Sequence, residues 1–137
     1  FIGRINDLPE KLRGFTKLIE ARTAGGKKLT VIVALNYGGR AEIVDSINRF
    51  IESQKTDEKR RITEEDITGN LYLPEVPDPD LIIRTSGEER LSNFLMWQSI
   101  YSEFYFTKTL WPDFTKEEFL EIMEEYSKRK RRFGAHQ

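Results

Sequence analysis

The segment from Arg84 to Phe94 carries the residue types of an oxyanion receptor. Arg84 directly follows a short apolar run, so its guanidinium is expected at the end of a buried strand. Arg90 lies across a small loop that contains Gly87, and Ser92 is expected to open the next helix. Two guanidinium groups, a hydroxyl and a helix N-terminus can together bind a multiply charged oxyanion. The residues alone favour a plain surface loop, with the arginines paired to nearby carboxylates: Asp80, Glu88 and Glu89.

Glu103 lies among aromatic residues, between Tyr101 and Phe106. A carboxylate in such surroundings needs a partner because an unpaired buried charge is costly. A hard cation such as Mg²⁺, bridging to phosphate oxygens, would serve as that partner. An arginine in a salt bridge would also serve, and the residues alone favour the arginine.

A second polar turn, Asn36 to Arg40, joins an apolar run to a helix. Gly38 and Gly39 are expected to serve the sharp turn itself, because glycine adopts backbone conformations that other residues avoid. The side chains of Asn36 and Arg40 are candidates for lining the same site as Arg84.

The basic run 128–132 allows a nucleic-acid-binding hypothesis. A simpler interpretation is that it ends a helix whose first half is acidic, an order that the helix dipole favours. Arg132 could also place its guanidinium on a phosphate, in this subunit or in a neighbouring one. The chain has one histidine, His136, and no cysteine, so these residues cannot form a Ser–His or Cys–His triad.

Helices and strands are predicted to alternate along the chain. An N-terminal helix over 7–23 is followed by a strand over 29–35 that is buried on both faces, and a helix then begins after Arg40. This order predicts an α/β fold with an open, mostly parallel sheet and helices on both faces. The other predicted elements are a short helix from Thr63, strands over 80–83 and 103–107, a helix over 92–101 and a last helix from Thr115.

Capping residues and apolar faces are predicted for these helices. Asp7 with Glu10, Thr63 with Asp66, and Thr115 with Glu118 have the spacing of helix N-termini. The predicted inner faces are Leu12, Phe15, Leu18 and Ile19 in the first helix; Ile43, Val44, Ile47, Phe50 and Ile51 in the second; and Phe119, Leu120, Ile122, Met123 and Tyr126 in the last.

The overall charge of the chain argues against a polyanionic partner. The 22 basic and 23 acidic residues leave a net charge of −1, so bulk electrostatics recruits neither nucleic acid nor an anionic membrane. The longest apolar run, Val31 to Leu35, is far shorter than the ~20 residues of a membrane span. We therefore expect a cytoplasmic protein.

Five blocks of the sequence together resemble the cis-prenyltransferases, among them undecaprenyl diphosphate synthase. They are Asn36–Arg40, Arg84–Phe94, Glu103, Leu110–Phe114 and Arg131–Gly134, in the family's order and spacing over nearly all 137 residues. The resemblance implies a homodimeric, Mg²⁺-dependent enzyme that adds isopentenyl diphosphate to an allylic diphosphate such as farnesyl diphosphate, forming cis double bonds.

The resemblance also implies roles for single residues. Arg84, Arg90 and Ser92 match the residues that hold the diphosphate of isopentenyl diphosphate, with the backbone near Leu91 assisting. Glu103 matches a metal-associated glutamate. Arg132 and Gly134 match a C-terminal Arg-x-Gly element that reaches across the dimer toward the partner's substrate. Membrane contact is expected through the lipid product alone.

The family's N-terminal signature, with the aspartate that organises metal and allylic diphosphate, is not found in the sequence. We therefore expect residues 1–137 to be one domain fragment, the C-terminal portion of a cis-prenyltransferase domain. The fold is then incomplete relative to the full domain, and no catalytic residue is assigned within it. We expect such a fragment to be inactive alone.

Overall fold

The computed structural model describes residues 1–54 and 60–129. They fall into two compact units: the first is Phe1–Pro77 with Ser92–Trp97, and the second is Asp78–Leu91 with the residues from Gln98 onward. The sequence-based expectation of one domain stays a prediction. The elements are α1 (Glu10–Thr23), α2 (Gly39–Ser53), α3 (Glu64–Gly69), β1 (Leu81–Arg84), β2 (Glu103–Phe106) and α4 (Lys116–Lys128), with 3-10 turns at Ile5–Asp7 and Trp111–Asp113.

The second unit contains the sheet, and it confirms the predicted α/β class. β1 and β2 pair in parallel, with Leu81 opposite Glu103 and Arg84 opposite Phe106. Parallel strands need a long connection between them, and residues 85–102 supply it. Ile82 of β1 and Ile122 of α4 are buried. Arg84 is the last residue of its strand, as predicted.

In the first unit, the buried face of α2 contains both polar and aromatic side chains. Glu42, Ser46 and Phe50 are its buried side chains, whereas the predicted inner residues Val44 and Ile51 are exposed. The Ser46 hydroxyl donates a 2.6 Å hydrogen bond to the Ile67 carbonyl, near the end of α3. A buried polar group with a partner is tolerated. Apolar periodicity therefore predicted the burial of Phe50 correctly and that of Val44 and Ile51 wrongly.

The predicted start of α1 was wrong. Asp7 belongs to the 3-10 turn, and Pro9 stands at the N-cap without any side-chain hydrogen bond. The Leu8 amide already donates to the Ile5 carbonyl at 3.1 Å, so the chain turns before the helix begins. The expected inner face was also wrong, because Leu12, Phe15 and Leu18 are exposed and the one buried residue of α1 is Thr16.

Residues 29–35 do not form the predicted buried strand. They make a single parallel bridge, between Ala34 and Ile2, and the side chains of Leu29 and Val31 are 78% and 71% exposed. A strand buried on both faces needs paired neighbours and covering helices. Among the described residues, only the segment around Ile2 pairs with this run.

Residues 92–101 form turns and bends where a helix was predicted. Three of them have left-handed backbone conformations, with φ of 49° at Ser92, 67° at Asn93 and 44° at Leu95. An α-helix cannot continue through such residues, because left-handed φ breaks the hydrogen-bond ladder. By contrast, the predicted caps at Thr63 and Thr115 are present, each accepting from the amide three residues later.

The last helix shows one buried side chain of its predicted inner face. Ile122 is 1% exposed, whereas Phe119, Leu120 and Met123 are all exposed. None of the helices in the described ranges is both long enough and apolar enough to cross a membrane.

Candidate functional site

The loop from Arg84 to Arg90 is held by backbone hydrogen bonds within the second unit. The amide of Ser86 donates to the Thr109 carbonyl and the amide of Gly87 to the Thr107 carbonyl, both at 2.8 Å. Ser86 and Gly87 have φ of 74° and 70°, a region that glycine adopts freely. The loop is therefore a fixed turn at the carboxyl end of β1.

Thr107, the residue after β2, also supports this loop. Its amide donates to the Arg84 carbonyl at 2.9 Å, and its hydroxyl donates to Oε1 of Glu118 at 2.6 Å. Glu118 lies in the first turn of α4. These contacts tie the loop, the end of β2 and the start of α4 together, and the sequence patterns did not indicate them.

Arg84 and Arg90 are brought together by this loop. Nη1 of Arg84 donates to the backbone carbonyl of Arg90 at 3.1 Å, so the Arg84 side chain reaches across the turn to Arg90. Arg90 forms an ion pair with Glu88, as the surface-loop interpretation predicted. Its side chain is 63% exposed, and exposed pairs of this kind typically contribute at most ~1 kcal/mol. A multiply charged anion could therefore replace Glu88 at low cost.

Glu103, at the start of β2, has an arginine as its partner. Nη1 of Arg129 lies 3.1 Å from its Oε2, and the same nitrogen donates to the Phe104 carbonyl at 3.0 Å. Nη2 of Arg129 donates to Glu125 at 2.6 Å. The carboxylates of Glu125 and Glu103 raise the pKa of Arg129. The arginine that the residues alone favoured is present, and the metal role of Glu103 stays a prediction.

Glu103 is the residue that the family resemblance associates with a metal ion. The described ranges contain no cluster of three or more carboxylate or histidine groups. Mg²⁺ commonly takes one or two carboxylates, with substrate phosphates and water completing its shell. Glu103 is compatible with that pattern as a single protein ligand, provided that Arg129 moves aside.

The turn from Asn36 to Arg40 lies in the first unit. Asn36 has a φ of 48°, and its side-chain amide donates to the Arg4 carbonyl at 3.0 Å. Gly38 has an ordinary extended φ of −159°, so the prediction that the glycines serve the turn conformation was wrong. A Cβ at Gly38 would lie 2.6 Å from Nδ2 of Asn93, and one at Gly39 would lie 2.9 Å from the Met96 amide. These glycines permit a close approach between two segments.

Asn93, next to Ser92, caps the N-terminus of α2. The Gly39 amide donates to the Asn93 carbonyl at 2.7 Å, and the Arg40 amide donates to its Oδ1 at 2.9 Å. Ser92 is exposed, and its hydroxyl makes no hydrogen bond within the part of the chain that the structure describes. Arg40 and Ser92 are thus linked through Asn93, a residue that the sequence patterns did not single out.

The buried carboxylate of Glu42 binds Tyr37 of this turn. Glu42 is 1% exposed, and it accepts from the Tyr37 hydroxyl at 2.5 Å and from the Tyr72 amide at 3.0 Å. Burial and the Glu42 carboxylate together raise the pKa of Tyr37. The Tyr37 ring meets the ring of Phe94 edge to face, with centroids 5.7 Å apart.

Comparison with known proteins assigns the family. The sequence model of the undecaprenyl diphosphate synthase family matches residues 1–134. The chain belongs to this family. Membership confirms the resemblance that the motifs indicated, and it covers both units.

Relatives in the undecaprenyl diphosphate synthase family agree. An isoprenyl transferase of Thermotoga maritima is 55% identical over 133 residues, which are 97% of this chain and 57% of that protein. A tritrans,polycis-undecaprenyl-diphosphate synthase (geranylgeranyl-diphosphate specific) of Methanocaldococcus jannaschii is 47% identical, over 97% of this chain and 49% of its own length. The chain therefore spans about half the length of the curated relatives it matches.

Solved structures give the same answer. A probable undecaprenyl diphosphate synthase from Campylobacter jejuni is 42% identical with a TM-score of 0.85, covering 98% of this chain and 61% of that one. Lavandulyl diphosphate synthase from Lavandula x intermedia, solved with dimethylallyl diphosphate, is 35% identical with a TM-score of 0.87, covering 98% of this chain and 58% of that one.

Two of the residues to which the family resemblance gives a role, Arg132 and Gly134, lie outside the described residues. At the adjoining end of α4, Lys128 pairs with Glu124 at 2.7 Å and Arg129 with Glu125 at 2.6 Å. At these two positions of the basic run, the side chains pair with acids of α4, as the simpler interpretation predicted.

Proposed function

We propose that the chain is the isopentenyl diphosphate-binding part of an enzyme that condenses isopentenyl diphosphate onto an allylic diphosphate of the farnesyl type. The product would be a cis-polyprenyl diphosphate such as undecaprenyl diphosphate. Family membership supports the reaction class. The observation that carries the binding role is the fixed loop after β1, which joins Arg84 and Arg90 through a 3.1 Å hydrogen bond.

In this proposal Arg84 and Arg90 donate to the diphosphate of the acceptor. Their planar guanidinium groups suit two-point contacts with phosphate oxygens, and such charge-assisted bonds are stronger than neutral ones. The amide near Leu91 and the Ser92 hydroxyl add further donors. Holding the diphosphate in this way would orient the alkene carbon toward the allylic carbon.

Carbon–carbon bond formation releases diphosphate from the allylic substrate, and negative charge builds up on that leaving group. Bound Mg²⁺ would stabilise this charge. Glu103 is the residue of this chain that would hold the ion, in exchange for its bond to Arg129. Asn36 and Arg40 are the further candidates for lining the site.

The remaining family features belong to the same proposal. The enzyme would be a cytoplasmic homodimer, in which Arg132 and Gly134 reach toward the partner's substrate. Its catalytic aspartate would lie in the family's N-terminal signature, a segment that this sequence does not contain. Contact with a membrane would come through the lipid product.

The decisive experiment replaces Arg84 or Arg90 with Ala in the full-length protein and measures isopentenyl diphosphate binding by calorimetry. Each change should weaken binding by roughly 1.5–3 kcal/mol, because one charge-assisted contact is lost. Arg84→Lys keeps the charge and loses the planar fork, so it should fall between Ala and wild type.

Arg22, an exposed residue in the last turn of α1, provides the matched control. Arg22→Ala removes the same charge and should leave binding unchanged. Normal isopentenyl diphosphate binding by Arg84→Ala would show that the loop has been assigned to the wrong role.

A further inference from the structure

We propose that Asn93 is a positioning residue for isopentenyl diphosphate binding, acting through Ser92. This inference rests on the proposed function, since it takes Ser92 as a diphosphate donor. It assigns to Asn93 the task of holding the backbone at Ser92 in the conformation that presents the hydroxyl.

The contacts of Asn93 fasten its segment to α2 at two points. Its carbonyl accepts from the Gly39 amide at 2.7 Å, and its Oδ1 accepts from the Arg40 amide at 2.9 Å across 53 residues of sequence. Helix N-termini leave their first amides without partners inside the helix. The N-cap residue Gly38 has no side chain to offer, so Asn93 supplies the cap from a distant part of the chain.

The backbone of this segment needs such support. Ser92, Asn93 and Leu95 all have left-handed conformations, each of which costs of order 1 kcal/mol or more for a residue with a Cβ. Strained conformations of this kind persist where the surrounding contacts determine them. Asn tolerates the left-handed region better than most residues, and here its carbonyl and side chain both have fixed donors.

The glycines of the facing turn make the contact geometrically feasible. A Cβ at Gly38 would lie 2.6 Å from Nδ2 of Asn93, closer than packed atoms allow. On the other side, the Tyr37 ring packs edge to face on Phe94, and Glu42 holds the Tyr37 hydroxyl. The segment after Ser92 is thus held through its backbone, a side-chain amide and a ring.

Asn93 therefore differs in kind from a substrate-binding residue. Its carbonyl and Oδ1 are engaged by α2, whereas the hydroxyl of its neighbour Ser92 is exposed. If the contacts of Asn93 are lost, the strained backbone should relax and the Ser92 hydroxyl should leave its position. The effect on substrate binding would then depend on Ser92 being present.

A double-mutant cycle in the full-length protein tests this dependence, with the KM for isopentenyl diphosphate and kcat as readouts. Asn93→Gly is the main variant, because Gly adopts the required φ without strain and lacks the amide. We expect it to raise KM about tenfold, the loss of roughly one good hydrogen bond. In a Ser92→Ala background the same change should raise KM by no more than about twofold, since coupled residues are non-additive.

Thr63→Ala is the matched control. It removes another side-chain cap of the first unit, the contact of Oγ1 with the Asp66 amide at 3.3 Å, and should lower the melting temperature while leaving KM unchanged. Asn93→Ala is the second variant, and it keeps the test valid if Asn93→Gly folds poorly.

The outcomes separate the two proposals. A tenfold rise in KM in both backgrounds would show that Asn93 does not act through Ser92, and an unchanged KM in both Asn93 variants would show that it positions nothing. Either result would overturn the inference and leave the proposed function intact. An unchanged KM in Ser92→Ala would remove the diphosphate role of Ser92 and overturn the inference, whereas the proposed function is tested separately by Arg84→Ala.

Discussion

At the scale of one residue, Glu42 shows that an acidic side chain can be buried in the protein core. It lies on α2 with 1% of its surface exposed, where sequence periodicity placed apolar residues inside. Its two carboxylate oxygens accept from Tyr37 and from the Tyr72 amide. A buried carboxylate is tolerated when hydrogen bonds satisfy it. Its partners lie on both sides of α2 in the sequence, so no local pattern could identify it.

Replacing Glu42 with Ala should therefore lower the free energy of unfolding by about 2–4 kcal/mol. The change leaves the half-buried Tyr37 hydroxyl and Tyr72 amide without their acceptor and opens a small cavity. Chemical denaturation monitored by circular dichroism measures the loss.

Glu52 lies on the same helix and is exposed, so Glu52→Ala should change the free energy of unfolding by less than ~0.5 kcal/mol. Equal effects of the two substitutions would contradict the role of the buried network. The pKa of Tyr37 offers a second measurement. In the folded wild type this hydroxyl should resist ionisation at a pH where exposed tyrosines ionise, because burial and Glu42 raise its pKa.

At the scale of elements, the features that could be predicted are those whose causes are local. The caps of α3 and α4 depend on residues three positions apart. The strands at Leu81–Arg84 and Glu103–Phe106 coincide with short apolar runs of the sequence. The errors share the opposite property. The conformation of segment 92–101 depends on its contact with α2, which joins Asn93 to a residue 53 positions away in the sequence. Whether residues 29–35 form a strand depends on which other segments pair with them.

In the candidate site, too, some residues could be predicted from the local sequence and others could not. Arg84 and Arg90 could be predicted as candidates because they flank a glycine loop directly after a strand, and their guanidinium groups suit an anionic ligand. Thr107, Glu118 and Asn93 support the two segments through long-range contacts. A Thr or an Asn at such positions carries no distinguishing signal in a single sequence, apart from the known tolerance of Asn for left-handed backbone.

Two helical glycines give a prediction at this scale. Gly39 is the first residue of α2, and a Cβ there would lie 2.7 Å from Cγ and 2.9 Å from the amide nitrogen of Met96. Gly39→Ala should therefore destabilise the protein by roughly 1–3 kcal/mol, the usual cost of overpacking, although Ala is the better helix former.

Gly14, inside α1, is the matched comparison because a Cβ added there would meet no atom within 4 Å. Gly14→Ala should stabilise the protein by about 0.5–1 kcal/mol through helix propensity alone. Thermal melts of both variants check the pair. A gain in stability for Gly39→Ala would mean that the 92–97 segment does not pack closely on the start of α2.

At the scale of the whole molecule, the chain belongs to the undecaprenyl diphosphate synthase family and spans about half the length of its curated relatives. The aspartate-containing signature, which in the family organises metal and allylic diphosphate, is not in the sequence. Within the described ranges no cluster of three metal-ligating groups is present. The proposed function therefore assigns acceptor binding, and not stabilisation of the leaving group, to these residues.

The 137-residue chain by itself should then bind isopentenyl diphosphate without elongating it. With isopentenyl diphosphate, farnesyl diphosphate and Mg²⁺ supplied, we expect no radiolabelled polyprenyl product, because the family resemblance gives the role at the leaving group to the signature aspartate. Calorimetry should still detect acceptor binding that Arg84→Ala weakens, with circular dichroism establishing that the chain is folded. Incorporation of label into a longer lipid would show that these residues contain a complete active site. A folded chain that fails to bind would show that acceptor binding needs residues beyond them.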